Sequence, residues 1–153
     1  MGTEVTGVTS TRNVELVRSL GADYVIDYTK TDFSKTGTTY DLIFDTIGNI
    51  DIASAKRALQ PEGLCVVAGF TTLRHLLALG IGGNLKSDKP GPKIGMMDTA
   101  EEKKEDLLIM RDLLASGKIK PVIDLRFPLH ETAEAIRYLE TGRARGKVMV
   151  SVA

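Results

Sequence analysis

Short apolar runs separated by helical stretches constrain this chain more than any other feature. Val5 to Val8, Tyr24-Val-Ile-Asp27, Tyr40-Asp-Leu-Ile-Phe-Asp45 and Leu64-Cys-Val-Val-Ala68 read as buried strands. Between the first two, Val14, Val17 and Leu20 recur at helical spacing, with Ser10 or Thr11 as cap and Gly21 as stop. A polar loop runs through Gly37 to the third strand. A second helix spans about Ile52 to Leu59, and Pro61-Glu-Gly63 turns the chain into the fourth strand. Strands apolar on both faces, alternating with helices, form parallel sheets covered on each side.

Beyond Ala68 the pattern loosens. Leu73 to Leu79 predicts a short helix, Gly80 to Pro92 a loop rich in Gly, Pro and Lys, and Lys93 to Met97 one more strand. Thr99-Ala-Glu-Glu102 has the form of a capping box ahead of a helix bearing Leu107, Met110 and Leu114. A last helix, about Glu131 to Glu140, precedes Gly142 and the strand Lys147-Val-Met-Val-Ser-Val152.

The 153 residues suit one domain, and 20 basic against 20 acidic residues leave no field to draw the chain to nucleic acid or anionic membrane. No apolar run has the length of a membrane span, so the expected compartment is cytoplasmic. A single cysteine, Cys65, sits inside a strand and reads as a structural thiol. His75 and His130 stand apart from any second ligand, so no metal is expected.

Ligands of open α/β sheets lie over the carboxyl ends of the strands. At the end of the first strand stands Thr9-Ser-Thr-Arg12, without the acid that would accept hydrogen bonds from an adenosine ribose. A carboxylate there repels a 2′-phosphate, whereas hydroxyls and a guanidinium bind one. Tyr28 offers another hydroxyl after the second strand. The plainer alternative is a helix cap beside a surface arginine. Asp45-Thr46-Ile47-Gly48 and Gly69-Phe70 end two further strands, either as walls for a planar or sugar group or simply as tight turns. Gly80-Ile-Gly-Gly83 is not a phosphate loop, because it follows a helix and position 85 is Leu85.

Taken in order, Val5-Thr-Gly-Val-Thr-Ser-Thr-Arg-Asn13, Val17-Arg-Ser-Leu-Gly-Ala-Asp-Tyr-Val-Ile-Asp-Tyr28, Tyr40-Asp-Leu-Ile-Phe-Asp-Thr-Ile-Gly48 and Gly142-Arg-Ala-Arg-Gly-Lys147 resemble the medium-chain dehydrogenase/reductase superfamily. The branch they resemble is that of zinc-independent quinone oxidoreductases and enone reductases. The resemblance implies an α/β fold, here a partial Rossmann-like parallel sheet with flanking helices, truncated at its N-terminal side. It implies a partial cofactor domain over residues 1–122 and a segment, 123–153, that returns to the catalytic domain in the full-length family. It also implies NADPH as cofactor (NADP in its oxidised form) and a small electrophilic substrate, a quinone or an activated carbonyl or alkene. Ser10, Arg12 and Tyr28 would hold the adenosine 2′-phosphate. Thr46, Ile47 and Gly48 would line the cofactor cleft, Gly69 and Phe70 would lie near the nicotinamide, and Lys147 would approach the cofactor.

The family's first strand and glycine-rich loop have no counterpart here. That strand lies at the centre of a sheet ordered 3-2-1-4-5-6, so two inner edges are expected to be open and prone to pairing, for instance in a homo-oligomer. Little turnover is expected of the 153 residues alone. Tyr40 to Asp45 with Leu59-Gln-Pro-Glu-Gly63 also fits an S-adenosylmethionine-dependent methyltransferase, although that class wants an acid where Thr9-Ser10 stand. A non-catalytic, self-associating α/β module is the third possibility.

Overall fold

A computed structural model describes residues 2–69, 72–83, 90–97, 101 and 103–152; for residues 75, 76, 81 and 82 it describes the backbone alone. The chain divides into two compact units, residues 1–99 and 100–153.

The first unit runs β1 (Thr6–Thr9), α1 (Val14–Ser19), β2 (Tyr24–Asp27), β3 (Tyr40–Asp45), α2 (Ile52–Ala58), β4 (Leu59–Val67), α3 (Leu73–Gly82) and β5 (Lys93–Met96). Each expected strand of this half is present, and every pairing is parallel. Thr6 to Thr9 of β1 face Tyr24 to Asp27 of β2 in unbroken register. A separate three-stranded sheet has the order β3-β4-β5. Among the described residues no ladder joins β1 to β3, so each keeps one open edge.

Local sequence explains most boundaries. Gly21, at φ +99°, takes the left-handed conformation that ends α1. Asp51 caps α2 by accepting from Ser54 N at 2.9 Å. Gly7 lets α1 pack onto β1, for a Cβ there would meet Val17 Cγ1 at 2.5 Å. The core beneath α2 and α3 is formed by Ala55, Leu59, Cys65, Val67, Leu79 and Ile94, with Ile43, Ile50, Ile52 and Met96 packed against it.

Two local expectations are corrected. Pro61-Glu-Gly63 does not precede the fourth strand but lies inside it as a wide bulge. Between two pairings with β3, β4 advances from Leu59 to Leu64 while β3 advances only from Tyr40 to Leu42. Helix α3 continues to Gly82, past the expected end at Leu79. Leu79 is buried in the core, and its carbonyl accepts from Gly83 N at 2.8 Å, so the last turn closes over that anchor. Residues 84–89 of the expected loop lie outside the described residues.

The second unit contains α4 (Lys104–Ala115), β6 (Ile123–Pro128), α5 (Thr132–Glu140) and β7 (Lys147–Ser151). Thr99, Ala100 and Glu102 of the expected capping box are outside the described residues, and α4 opens at Lys104 without a side-chain cap. β6 is a strand that the helix-centred reading of this region passed over, and it pairs in parallel with β7. Tyr138 on α5 donates to Asp124 Oδ2 at 2.7 Å, and Arg145 N donates to the same oxygen at 2.8 Å. Both bonds tie α5 and the approach to β7 onto β6.

Candidate functional site

Two clusters of the sequence-selected residues stand at the carboxyl ends of strands in the first unit. In the first, Ser10 begins a single 3-10 turn, Thr11–Asn13, that leads from β1 into α1, and its hydroxyl makes no capping bond. Tyr28 N donates to Thr9 O at 3.0 Å, carrying the β1–β2 ladder one step past its end. This bond brings Tyr28 beside the Thr9-Ser10 turn, and the Tyr28 side chain is exposed. Arg12 is exposed in the same turn.

An acid that sequence reasoning overlooked completes this cluster. Asp27, last residue of β2, accepts from Thr11 Oγ1 at 2.6 Å and from Thr29 N and Oγ1 at 3.0 and 2.7 Å. Lys30 Nζ lies 3.5 Å away. The Thr11 hydroxyl, then that of Thr29, hold the Asp27 carboxyl down at about 2. The turn is therefore free of acids in sequence but not in space. The carboxylate is spent on two hydroxyls and a lysine, so it is partly neutralised. The signal was the parallel register itself, which sets Thr9 against Asp27.

The second cluster is built by Asp45 at the end of β3. Its Oδ1 accepts from Ile47 N and Gly48 N, both at 2.9 Å, and its Oδ2 from Asn49 N and Ile50 N, both at 3.0 Å. Burial would push this carboxyl up, but the four backbone donors outweigh it and hold it below the usual 3.8. The loop is thereby fixed with Thr46 and Ile47 outward and Gly48 buried at φ +75°. Ala68 N donates to Asp45 O at 2.8 Å, so the turn after β4 sits beside this one. A Cβ on Gly69 would stand 3.7 Å from Thr46 O and 3.8 Å from Ile47 O. Thr46, Ile47, Gly48 and Gly69 are thus brought together. Phe70 lies outside the described residues.

A cleft of about 440 Å³ links the clusters, with Tyr28, Thr46 and Ile47 on its wall beside residues of β1 and β3. Ser10 and Arg12 are not part of that wall. Lys147 opens β7 in the second unit, where its N donates to Val122 O at 2.7 Å. Burial, and secondarily the Asp45 charge, push the Cys65 thiol up to about 11, which leaves it an inert core group.

Parallel strands flanked by helices, with glycine-bearing turns at their carboxyl ends, define a nucleotide-binding type of α/β protein. Residues 20–150 match the family model described as zinc-binding dehydrogenase, and the chain belongs to this family, as its carboxyl-terminal, Rossmann-type portion. It is 35% identical over 150 residues to the chloroplastic NADPH-dependent alkenal/one oxidoreductase of Arabidopsis thaliana, covering 96% of this chain and 33% of the relative. It is 33% identical to the 2-methylene-furan-3-one reductase of Solanum lycopersicum, with the same shares covered. The quinone oxidoreductase of Coxiella burnetii superposes with a TM-score of 0.75 at 24% identity, over 99% of this chain and 46% of that one. The chain thus spans between a third and about half the length of these relatives.

The family's name raises the question of zinc. Among the described residues no three His, Cys, Asp or Glu side chains converge, Cys65 is a buried protonated thiol, and the exposed His130 faces only Glu131. These residues do not fit a zinc site.

Proposed function

We propose that this chain is the cofactor-holding portion of an NADPH-dependent reductase acting on alkenes conjugated to a carbonyl group, or on quinones. The observation that carries the reading is the meeting of Ser10, Arg12 and Tyr28 at the ends of β1 and β2, next to an Asp27 already engaged by two threonines and a lysine. Hydroxyls and a guanidinium suit a phosphate dianion, and Lys30 offsets the nearby carboxylate. The fit concerns the adenosine end of the cofactor. When bound, NADPH supplies the hydride, and the protein's part is to hold donor and acceptor in register.

Within this reading Arg12 takes the 2′-phosphate as a charge partner, with Ser10 and Tyr28 donating from their hydroxyls. Asp45 acts as a positioning residue, since its four bonds fix the backbone of Thr46, Ile47 and Gly48 against one flank of the cofactor. Gly69 leaves room at the adjoining turn, and Phe70 and Lys147 are assigned to the nicotinamide end on the family resemblance. Residues 123–153 would return to the catalytic domain of the longer relatives. The 153 residues by themselves are expected to bind cofactor weakly and to turn over little. Membership in a dehydrogenase family removes the ground for the methyltransferase alternative.

Titration with NADPH and NADH, followed by thermal shift, tests this. NADPH should stabilise the chain more than NADH. Arg12→Ala should abolish that preference, weakening NADPH about tenfold or more through the lost charge-assisted bonds. Equal response to both nucleotides, or an unchanged preference in Arg12→Ala, would sink the assignment.

A further inference from the structure

The cleft in the first unit has a second property, independent of the cofactor reading. Its wall includes Leu42, Ile43, Phe44, Asp45 and Thr46 in succession, together with Thr6 and Val8 of β1. Successive residues of a strand point to opposite faces of the sheet, so a groove on one face would be lined by alternate residues. A run of consecutive ones means that the cleft follows the edge of β3. The sheet order gives β3 no neighbour on that side and gives β1 none on the side away from β2. Both edges face one opening, and apolar side chains surround it: Leu42, Phe44 and Val8 are 58%, 55% and 44% exposed.

We propose that this opening is a binding site for a single extended β-strand of another polypeptide, seated between β1 and β3 and parallel to them. Backbone chemistry selects the occupant, because only an extended main chain can supply donors and acceptors to two ladders at once. Strands lie about 4.8 Å apart and rise about 3.3 Å per residue, and side chains extend about 5 Å to each face; on those dimensions 440 Å³ corresponds to about three residues. The strand must be apolar on both faces. Leu42 and Phe44 line one face of β3, and Ile43, packed against the core, lies on the other. Parallel direction follows from the doubly wound fold, in which every observed pairing is parallel.

A second copy of the chain is a poor occupant. Every strand among the described residues already has a lateral partner, whereas a slot walled on both sides admits only a strand with both edges free. The length by which the matched relatives exceed this chain shows that family members carry more polypeptide than the matched region, and such a segment is the kind of partner the slot fits.

The test uses a fluorescein-labelled synthetic peptide with an alternating Val/Ile core flanked by lysines, titrated into the intact chain and read by anisotropy. Two controls carry N-methyl groups on the odd or on the even core amides. Successive amides point to opposite edges, so each control silences one wall of the slot. Saturable binding is expected, weakened about tenfold or more in both controls by the loss of about two ladder hydrogen bonds. Amide exchange should slow in both β1 and β3 of the wild-type chain when the peptide is present. Phe44→Lys should weaken binding without altering the NADPH response, which separates this site from the cofactor assignment. No saturation, equal binding of the controls, or weakening by only one of them would overturn the proposal; the last outcome means simple edge addition. So would a dimer, seen by sedimentation, that blocks the peptide.

Discussion

At the scale of single residues, Asp45 bears most directly on the candidate site. One carboxylate satisfies four consecutive backbone N–H groups, which no neutral side chain of that size can do. Asp45→Ala leaves those donors without a protein acceptor and is expected to cost about 1–3 kcal/mol, with Asp45→Asn intermediate. Urea unfolding monitored by circular dichroism measures this, and an unchanged midpoint in Asp45→Ala would show that water replaces the carboxylate at no cost. The residue was visible in the sequence as an acid ending a strand, but its role was not. Which N–H groups a carboxylate reaches depends on how the loop folds back, and Gly48 at positive φ permits that fold.

At the scale of elements, the β6–β7 pair depends on close backbone approach. A Cβ on Gly146 would meet Val122 O at 2.5 Å and Val122 Cγ1 at 2.8 Å. Backbone cannot yield as a side-chain tip can, so Gly146→Ala should destabilise this pair by about 1–3 kcal/mol. Hydrogen exchange should then accelerate across Lys147–Ser151 and Ile123–Pro128 while β1 to β5 keep their protection. Loss of protection in all strands at once would mean that the two units unfold together. β6 was itself legible: Ile123, Leu125 and Phe127 alternate with polar residues at the strand period. The strands of the first half stood out more because their apolar residues run on without alternation. The extension of α3 into a Gly-rich stretch was not legible, since burial of Leu79 overrode the low helix propensity of glycine.

At the scale of the whole molecule, the charges balance in number but not in effect. Asp27 and Asp32 are held at about 2, and Asp45 and Asp51 below 3.8, so all four carboxyls bind protons more weakly folded than unfolded. The Asp32 shift comes chiefly from Lys35 and Ser34, the Asp51 shift from Ser54. Such groups stabilise the fold above their unfolded pKa, and that contribution is lost as pH falls through the folded values. The thermal midpoint should therefore stay level from neutrality to about pH 5 and drop between about pH 4 and 2. A midpoint still unchanged at about pH 3 would show that these bonds persist in the unfolded chain. All four groups belong to the first unit, so the acid-sensitive transition is assigned to it.

The sequence by itself determined the order of strands and helices, the parallel α/β class and the family, because these depend on local apolar period, on caps and stops, and on motifs in linear succession. It also marked Ser10, Arg12, Tyr28, Thr46, Ile47, Gly48 and Gly69 as ends of strands. Only the tertiary structure decided what meets at those ends. Asp27 lies beside Thr11 through parallel register, Asp45 gathers the loop that follows it, and the open edges of β1 and β3 face one cleft. Hydrogen bonds between distant strands and the space left between two sheets are properties of register and packing, which no local pattern of residues encodes.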